Sequence, residues 1–273
     1  MVAFRFDGHQ HSSFEEARYT SICTPKNKFR RALDIGLDGF AVTDARMDVF
    51  YDSVLKSPKK HLPSGCELYA LGKGCFVVEN REGKKVFVFR GMEFHDNKGH
   101  LLVIGNEEKA IYKENTSLIE RARYAHDIGG TLVIAHPFHS DFGGVSQEDF
   151  DMLCSSEETD CVEIFNPLSN VEFNERARKG SEKYGLPGLS QSDCHDTQVG
   201  RAHTTLDFKI DNLSNVRGEL NDSLKSGRII GHHQEYKPLL SMVWTFGAMR
   251  ILTGEPRDVI NNAIYFIKNK GKR

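Results

Sequence analysis

Short apolar runs alternate with amphipathic stretches along most of the chain, the pattern of βα units wound around a sheet. The runs at residues 3–6, 39–43, 86–90, 101–105, 131–135, 161–165 and 188–190 predict strands, and seven strands suit a barrel. Between them, the spacing of Leu118, Ala122 and Ala125 predicts a helix over 116–128 that buries one face, while Glu120, Arg121 and Arg123 point largely elsewhere. Gly129-Gly130 supplies its stop. The stretch 171–184, rich in Glu, Arg and Lys, predicts an exposed helix that ends at Gly185, just before Pro187.

The alternation lapses after Asp44. Residues 56–65 are polar and hold Pro58 and Pro63, while the Asn80 to Gly83 stretch predicts a turn joining 75–78 to 86–89 as a hairpin. Residues 46–85 are therefore expected to form an insertion after the second strand. From Pro238 onward, 239–252 and 259–267 predict two apolar helical segments packed on the barrel wall. With no internal repeat or linker-like tract, the expectation is one domain over 1–273, with a core at 4–206 and a helical tail at about 238–270.

Charge narrows the partners. A formal net charge of -2 leaves no basic surplus, so a small anionic substrate fits better than an extended nucleic-acid surface. No run approaches the roughly 18 apolar residues of a membrane span, and the first residues lack the apolar core of a secretory signal. A cytoplasmic protein away from membranes is expected. The six cysteines form no CxxC pair, which implies neither a zinc knuckle nor a disulfide framework, only reduced and mostly buried thiols.

The candidate chemistry lies just past the predicted strands. His9 and His11 flank Gln10 directly after the first strand, and in extended chain residues two apart point the same way, so both imidazoles can reach one ion. Glu93, His100, His136 and the Asp193-Cys194-His195 segment recur at the equivalent ends of later strands, with Glu163 and Asn166 as further candidates. Imidazoles mixed with carboxylates suit Zn²⁺, Mn²⁺ or Fe²⁺ better than Mg²⁺ or Ca²⁺, and there are enough of them for two ions. Such a pair serves in-line displacement at a phosphoryl group.

With these residues in view, the chain resembles the polymerase and histidinol phosphatase (PHP) superfamily over residues 4–206. The matching segments are FDGHQHSS at 6–13, GLDGFAVTD at 36–44, GMEF at 91–94, GHLL at 99–102, GTLVIAHP at 130–137, VEIFN at 162–166, SDCH at 192–195 and VGRA at 199–202. The resemblance implies an α/β fold, a distorted (β/α)7 barrel, with two or three divalent transition-metal ions and phosphoester hydrolysis. It would place His9, His11, Glu93 and Asp193 on a first ion, and Glu93, His100 and His136 on a second. A third would draw on Glu16, His195 and a histidine after Thr43-Asp44. Here Ala45-Arg46 stand instead, so the third ion is in question, with His61, His95 and His139 nearby. Arg201 is the candidate phosphate clamp, and Asp44 the carboxylate that orients a ligand.

The expected activity is therefore a metal-dependent phosphoesterase acting on a phosphomonoester or phosphodiester of a small metabolite or nucleotide. Two alternatives stay open: a non-catalytic metal-binding or regulatory domain, and an amidohydrolase-type metal hydrolase. The latter usually needs a lysine at a strand end, which none of these strands offers.

Overall fold

The computed structural model describes residues 2–15, 23–139, 143–196, 198–209 and 213–236. The chain divides into two compact units, Met1–Gln234 and Glu235–Arg273. The two apolar segments expected at 239–252 and 259–267 lie outside the described residues, as does Glu16.

All seven expected strands are present: β1 (Val2–Asp7), β2 (Gly39–Val42), β5 (Lys85–Asp96), β6 (Gly99–Ile104), β7 (Thr131–Ile134), β8 (Cys161–Phe165) and β9 (Gly188–Ser190). Four more accompany them: β3 (Glu67–Ala70), β4 (Cys75–Glu79), β10 (Ala202–Phe208) and β11 (Ile229–Gln234). The main order is β11-β10-β1-β2-β5-β6-β7-β8-β9, a mixed α/β architecture whose sheet curls into a nearly closed barrel. Its two ends are joined by side chains. Thr204 Oγ1 takes a hydrogen bond from the Ser190 amide at 2.9 Å, and Gln234 Nε2 donates to Ser190 Oγ at 2.9 Å.

The strands are not uniformly parallel, which corrects the simple βα reading. β1, β2 and β5 run parallel in series, as do β7, β8 and β9, but β6 is antiparallel to both β5 and β7. Only residues 97–98 separate β5 from β6, and so short a connection permits nothing but a hairpin. The start of β6 consequently lies at the same end of the barrel as the ends of β5 and β7. β10 and β11 escaped the apolar-run criterion. The first alternates buried and half-buried residues, and the second is largely exposed.

Inside the barrel, Phe4, Phe6, Phe89, Leu102, Val133, Leu206 and Phe208 form one core, with Phe4 and Phe208 stacked at 4.1 Å between ring centroids. Outside, α1 (Pro25–Ile35) presses Phe29, Ala32 and Leu33 against Phe40 and Phe76. In chain order α2 (Phe50–Lys56) and α3 (Pro58–His61) follow, and with β3 and β4 they occupy the stretch read as an insertion. β4 pairs with β5 across the expected turn, Val78 opposite Val86.

The remaining α-helices among the described residues are α4 (Leu118–Asp127), α5 (Gln147–Ser155), α6 (Val171–Tyr184) and α7 (Val216–Lys225). A reciprocal Ser117–Glu120 capping box opens α4, which buries Leu118, Ala122 and Ala125 as its spacing foretold. Arg121 is buried too, contrary to that reading, because its Nε donates to Thr116 and its guanidinium covers the Tyr112 ring. α6 ends on Gly185 in the left-handed conformation. All six cysteines are free thiols, and only Cys66 among them is not buried.

Candidate metal centre

Two tripeptides at the barrel end form the floor of the site. His9-Gln10-His11 leaves β1, and Asp193-Cys194-His195 follows β9. They lie side by side through a parallel bridge between Gln10 and Cys194. The His11 amide donates to the Cys194 carbonyl at 3.2 Å, and the Cys194 amide to the His9 carbonyl at 3.4 Å. Alternation along extended chain then sends the outer residues of each tripeptide one way and the central residues the other. Asp193 Oδ1 accordingly lies 3.5 Å from His9 Nε2, 3.2 Å from His11 Nε2 and 3.0 Å from His195 Nε2.

Glu93, on the outer half of β5, sits across from this floor. Its Oε1 lies 2.9 Å from His100 Nδ1, 3.4 Å from His136 Nε2 and 3.6 Å from His9 Nε2, while Oε2 lies 3.9 Å from His11 Nε2. β6 reaches it through its first residues because that strand runs backward. Beyond β7, His136 reaches it with a backbone φ of 23°, and Asp193 has a φ of 46°. Non-glycine residues rarely hold such angles, and they gather at functional sites. Gly143 is required here as well: a Cβ at that position would fall 2.1 Å from His100 Nε2.

Behind these groups stand carboxylates that aim the imidazoles. Glu163 Oε1 is 3.0 Å from His9 Nδ1, and its Oε2 accepts the His136 amide at 2.5 Å. Its neighbour Asn166 bridges from Glu163 Oε2 to Asp193 Oδ2, donating at 3.2 and 3.0 Å. Glu15 faces His11 Nδ1 at 2.5 Å. Asp44 accepts from both the amide and hydroxyl of Ser12 at 2.5 Å. Fully buried Asp7 accepts from the Ser192 and Gly200 amides and from Gln10 Nε2.

The charges respond to one another. Burial opposes a proton on His9, but Asp193 and Glu163 outweigh it and hold its pKa well above the ordinary imidazole value. Burial likewise opposes charge on His11, where Glu15 and Asp193 prevail and raise it to about 10. Against their own desolvation, Glu93 and Asp193 are held well below the carboxylate range, by His100 and by His9 respectively. Burial dominates at Asp7 and Asp44, both pushed up to about 6. So many buried carboxylates among imidazoles ask for added positive charge, from protons or from cations.

The donor set fits divalent transition metals. His9, His11 and Asp193 present atoms close enough to share one ion, as do Glu93, His100 and His136. His136 Nδ1 is also buried without a hydrogen-bond partner. Two further sets, His9 with His136 and Glu163, and His11 with Glu15 and Asp44, meet the same distance test. In those, Glu163 and Glu15 approach the imidazoles through Nδ1, the position of an orienting carboxylate.

Of the residues expected in the site, His9, His11, Glu93, His100, His136 and Asp193 converge. His195 joins them through Asp193 and stacks on His11 at 4.0 Å. Ala45 pairs with Glu93 in a parallel bridge, so the position of the missing histidine is beside Glu93. Arg46 is exposed, donates to the His95 carbonyl at 2.7 Å and lies over the Tyr112 ring. Of the three further histidines, His95, on β5, reaches the cluster, 3.5 Å from Glu93 Oε2. His61 packs on Phe14, and His139 neighbours the Leu168 carbonyl and the Phe173 ring. Arg201 immediately precedes β10, whose pairing with β1 puts its start at the site end of the barrel. Sequence reasoning missed Glu15 and Asp7. Glu15 stands four residues after His11, the spacing of a helical pair, and that was the available signal.

Comparison with known proteins agrees with this fold. A family model described as PHP-associated matches residues 171–229. No curated protein matches the chain. Among solved structures, a two-domain protein from Bacteroides vulgatus, containing a predicted PHP-like metal-dependent phosphoesterase, is 15% identical with a TM-score of 0.60, over 86% of this chain and 65% of that one. PsfC from Pseudomonas syringae is 17% identical with a TM-score of 0.58, over 97% and 98%. The lesion-specific endonuclease PfuEndoQ from Pyrococcus furiosus is 15% identical with a TM-score of 0.57, over 85% and 58%. The chain thus spans under two thirds of the first and third of these. Its fold is that of the PHP proteins, as the sequence resemblance implied.

Proposed function

We propose that the chain is a metal-dependent phosphoesterase, a hydrolase acting on a phosphomonoester or phosphodiester of a small metabolite or nucleotide. One observation carries the reading. A single buried carboxylate, Glu93, stands between two sets of imidazole and carboxylate donors, within 4 Å of His9, His11, His100 and His136. His9, His11 and Asp193 would hold one ion, His100 and His136 another, and Glu93 both. When bound, such a pair neutralises phosphoryl charge and lowers the pKa of water.

The chain's own groups do the rest. Glu163 and Glu15 fix the tautomers of His9 and His11 so that both Nε2 lone pairs face the cluster. Half-exposed His95 stands at the rim beside Glu93, where a substrate would enter. Arg201 supplies the clamp for a phosphoryl oxygen, and Asp44 sets the His11-Ser12 turn. The small-substrate reading rests on the absent basic surplus, and a cytoplasmic setting accords with it. No helix among the described residues is long and apolar enough to cross a membrane.

The test is phosphate release by metal-loaded protein from sugar phosphates, nucleoside phosphates, chromogenic mono- and diesters, short oligonucleotides and a duplex with an abasic site. Metal-dependent turnover of a small ester is expected. Turnover confined to the duplex would move the substrate class to nucleic acid, and retention of metal with no turnover of any ester would favour a regulatory domain.

A further inference from the structure

Lys28 lies on α1 with its side chain wholly buried, and its ammonium donates to Gln10 Oε1 at 3.1 Å and to the Cys194 carbonyl at 3.3 Å. Among the described residues no carboxylate lies within ion-pair distance of it. A buried ammonium with two neutral acceptors is a costly way to fill space, since an unbranched apolar side chain would occupy the same volume without losing hydration. The two oxygens it joins are not arbitrary. Gln10 and Cys194 are the central residues of the two ligand-bearing tripeptides and form the bridge between them.

Anchoring Gln10 by its oxygen also turns its amide nitrogen toward Asp7 and Ser192, where it donates. Cys23, just before α1, donates its thiol to the His195 carbonyl at 2.7 Å. The entry of α1 therefore grips the second tripeptide at two successive carbonyls and the first at its central side chain. A slip of either strand by one residue would turn His9, His11 and Asp193 away from one another.

We infer that Lys28 is the positioning residue of the first metal site, holding the His9–His11 and Asp193–His195 segments in the one register that converges their ligand atoms. This rests on the metal reading proposed above, and the experiment separates the two. The first site is isolated in a His100→Ala background, which removes a ligand of the second, and apo-protein is titrated with Co²⁺ while its visible absorption is followed. Adding Lys28→Met should lower Co²⁺ affinity by about tenfold or more and shift the absorption bands, a size typical of groups that orient ligands. The thermal midpoint of the apo-protein should be unchanged or raised, since a buried charge is gone.

Unchanged affinity and bands, or tighter binding, would overturn the inference. Should Lys28→Met fail to fold, Gln10→Leu removes one of the two acceptors and must weaken Co²⁺ in the same way, and wild-type affinity there would overturn it equally. Absence of Co²⁺ binding with Lys28 in place would instead remove the metal reading, and the inference with it.

Discussion

Glu163 Oε1 lies 3.0 Å from His9 Nδ1, with both side chains fully buried. That contact leaves only Nε2 of His9 to face Glu93 and Asp193, so a carboxylate in the middle of β8 decides what an imidazole after β1 can bind. Glu163→Gln keeps the shape but ends the preference for one tautomer, because an amide oxygen or nitrogen can face the ring with either. Metal affinity should fall by about ten- to a hundredfold. Titration of the apo-protein checks this, and wild-type affinity would remove Glu163 from the role.

Glu93→Gln should be among the most costly single changes in the site. It touches both donor sets, and the amide carries no charge to share between two ions. Turnover should drop by at least about a hundredfold, roughly 2.7 kcal/mol of lost transition-state stabilisation. Asp193→Asn should fall in the same range. A folded Glu93→Gln protein with near wild-type rate and metal content would contradict the assignment.

The candidate site was legible in the sequence wherever its residues follow apolar runs, because those runs mark strand ends and strand ends converge. His9, His11, Glu93, His136 and Asp193 were found that way. His100 was harder, since it opens a strand. Only the hairpin at 97–98, which reverses β6, explains how a first residue meets the last ones of its neighbours. Glu163 lies inside an apolar run, where alternation alone leaves open whether a carboxylate faces the barrel or solvent, and packing decides for the interior. β11 carried little apolar signal because it is largely exposed. Lys28 could not have been singled out, since a lone lysine on a helix is normally solvated and nothing in its neighbours reveals the two oxygens brought over it.

Removing metal should destabilise the fold as well as stop turnover. Apo-protein must hold Glu93, Asp193 and Glu163 in one buried cluster, whereas ions bound by the proposed donors would tie β1, β5, β6, β7 and β9 together. Ligand present at a hundred times its dissociation constant adds about 2.7 kcal/mol of stability. Thermal melts with and without chelator should therefore differ by several degrees, and the midpoint should rise with added Mn²⁺ or Zn²⁺. A midpoint indifferent to chelator would speak against resident ions.

Away from the site, His126 on α4 should make stability depend on pH. Its Nε2 lies 2.8 Å from Asp160, which also accepts the Leu132 amide and so is fixed against β7. The Asp160 hydrogen bond raises the His126 pKa above its ordinary value, in spite of partial burial. A histidine raised on folding contributes stability that is whole below the unfolded pKa of about 6.5 and is lost as pH climbs through the folded one. Wild-type stability should then decline from about pH 6.5 upward relative to His126→Gln, with the two curves parallel at higher pH. Denaturant melts across that range measure it, and parallel curves throughout would dismiss the contribution.

The last expectation is that two ions are held firmly and a third weakly or not at all. In PHP proteins as the resemblance presents them, a third ion needs a histidine after Thr43-Asp44, and Ala45 offers only a methyl group there. The structure sets Ala45 directly beside Glu93 on the neighbouring strand. Arg46 does not replace the missing ligand, since a guanidinium cannot coordinate, and its charge is spent on the His95 carbonyl and the Tyr112 ring. His95 stands near but already faces Glu93 and His100. What the resemblance leaves for that ion is His195 and Glu16, the latter outside the described residues, and an ion with two protein ligands exchanges readily. Dialysed protein should accordingly retain two ions, and Ala45→His should raise that number toward three, because a strand neighbour of Glu93 can reach the same side. Metal analysis of both proteins decides the matter: three ions retained by the wild-type chain, or no gain in the Ala45→His variant, would show that position 45 does not control the third site.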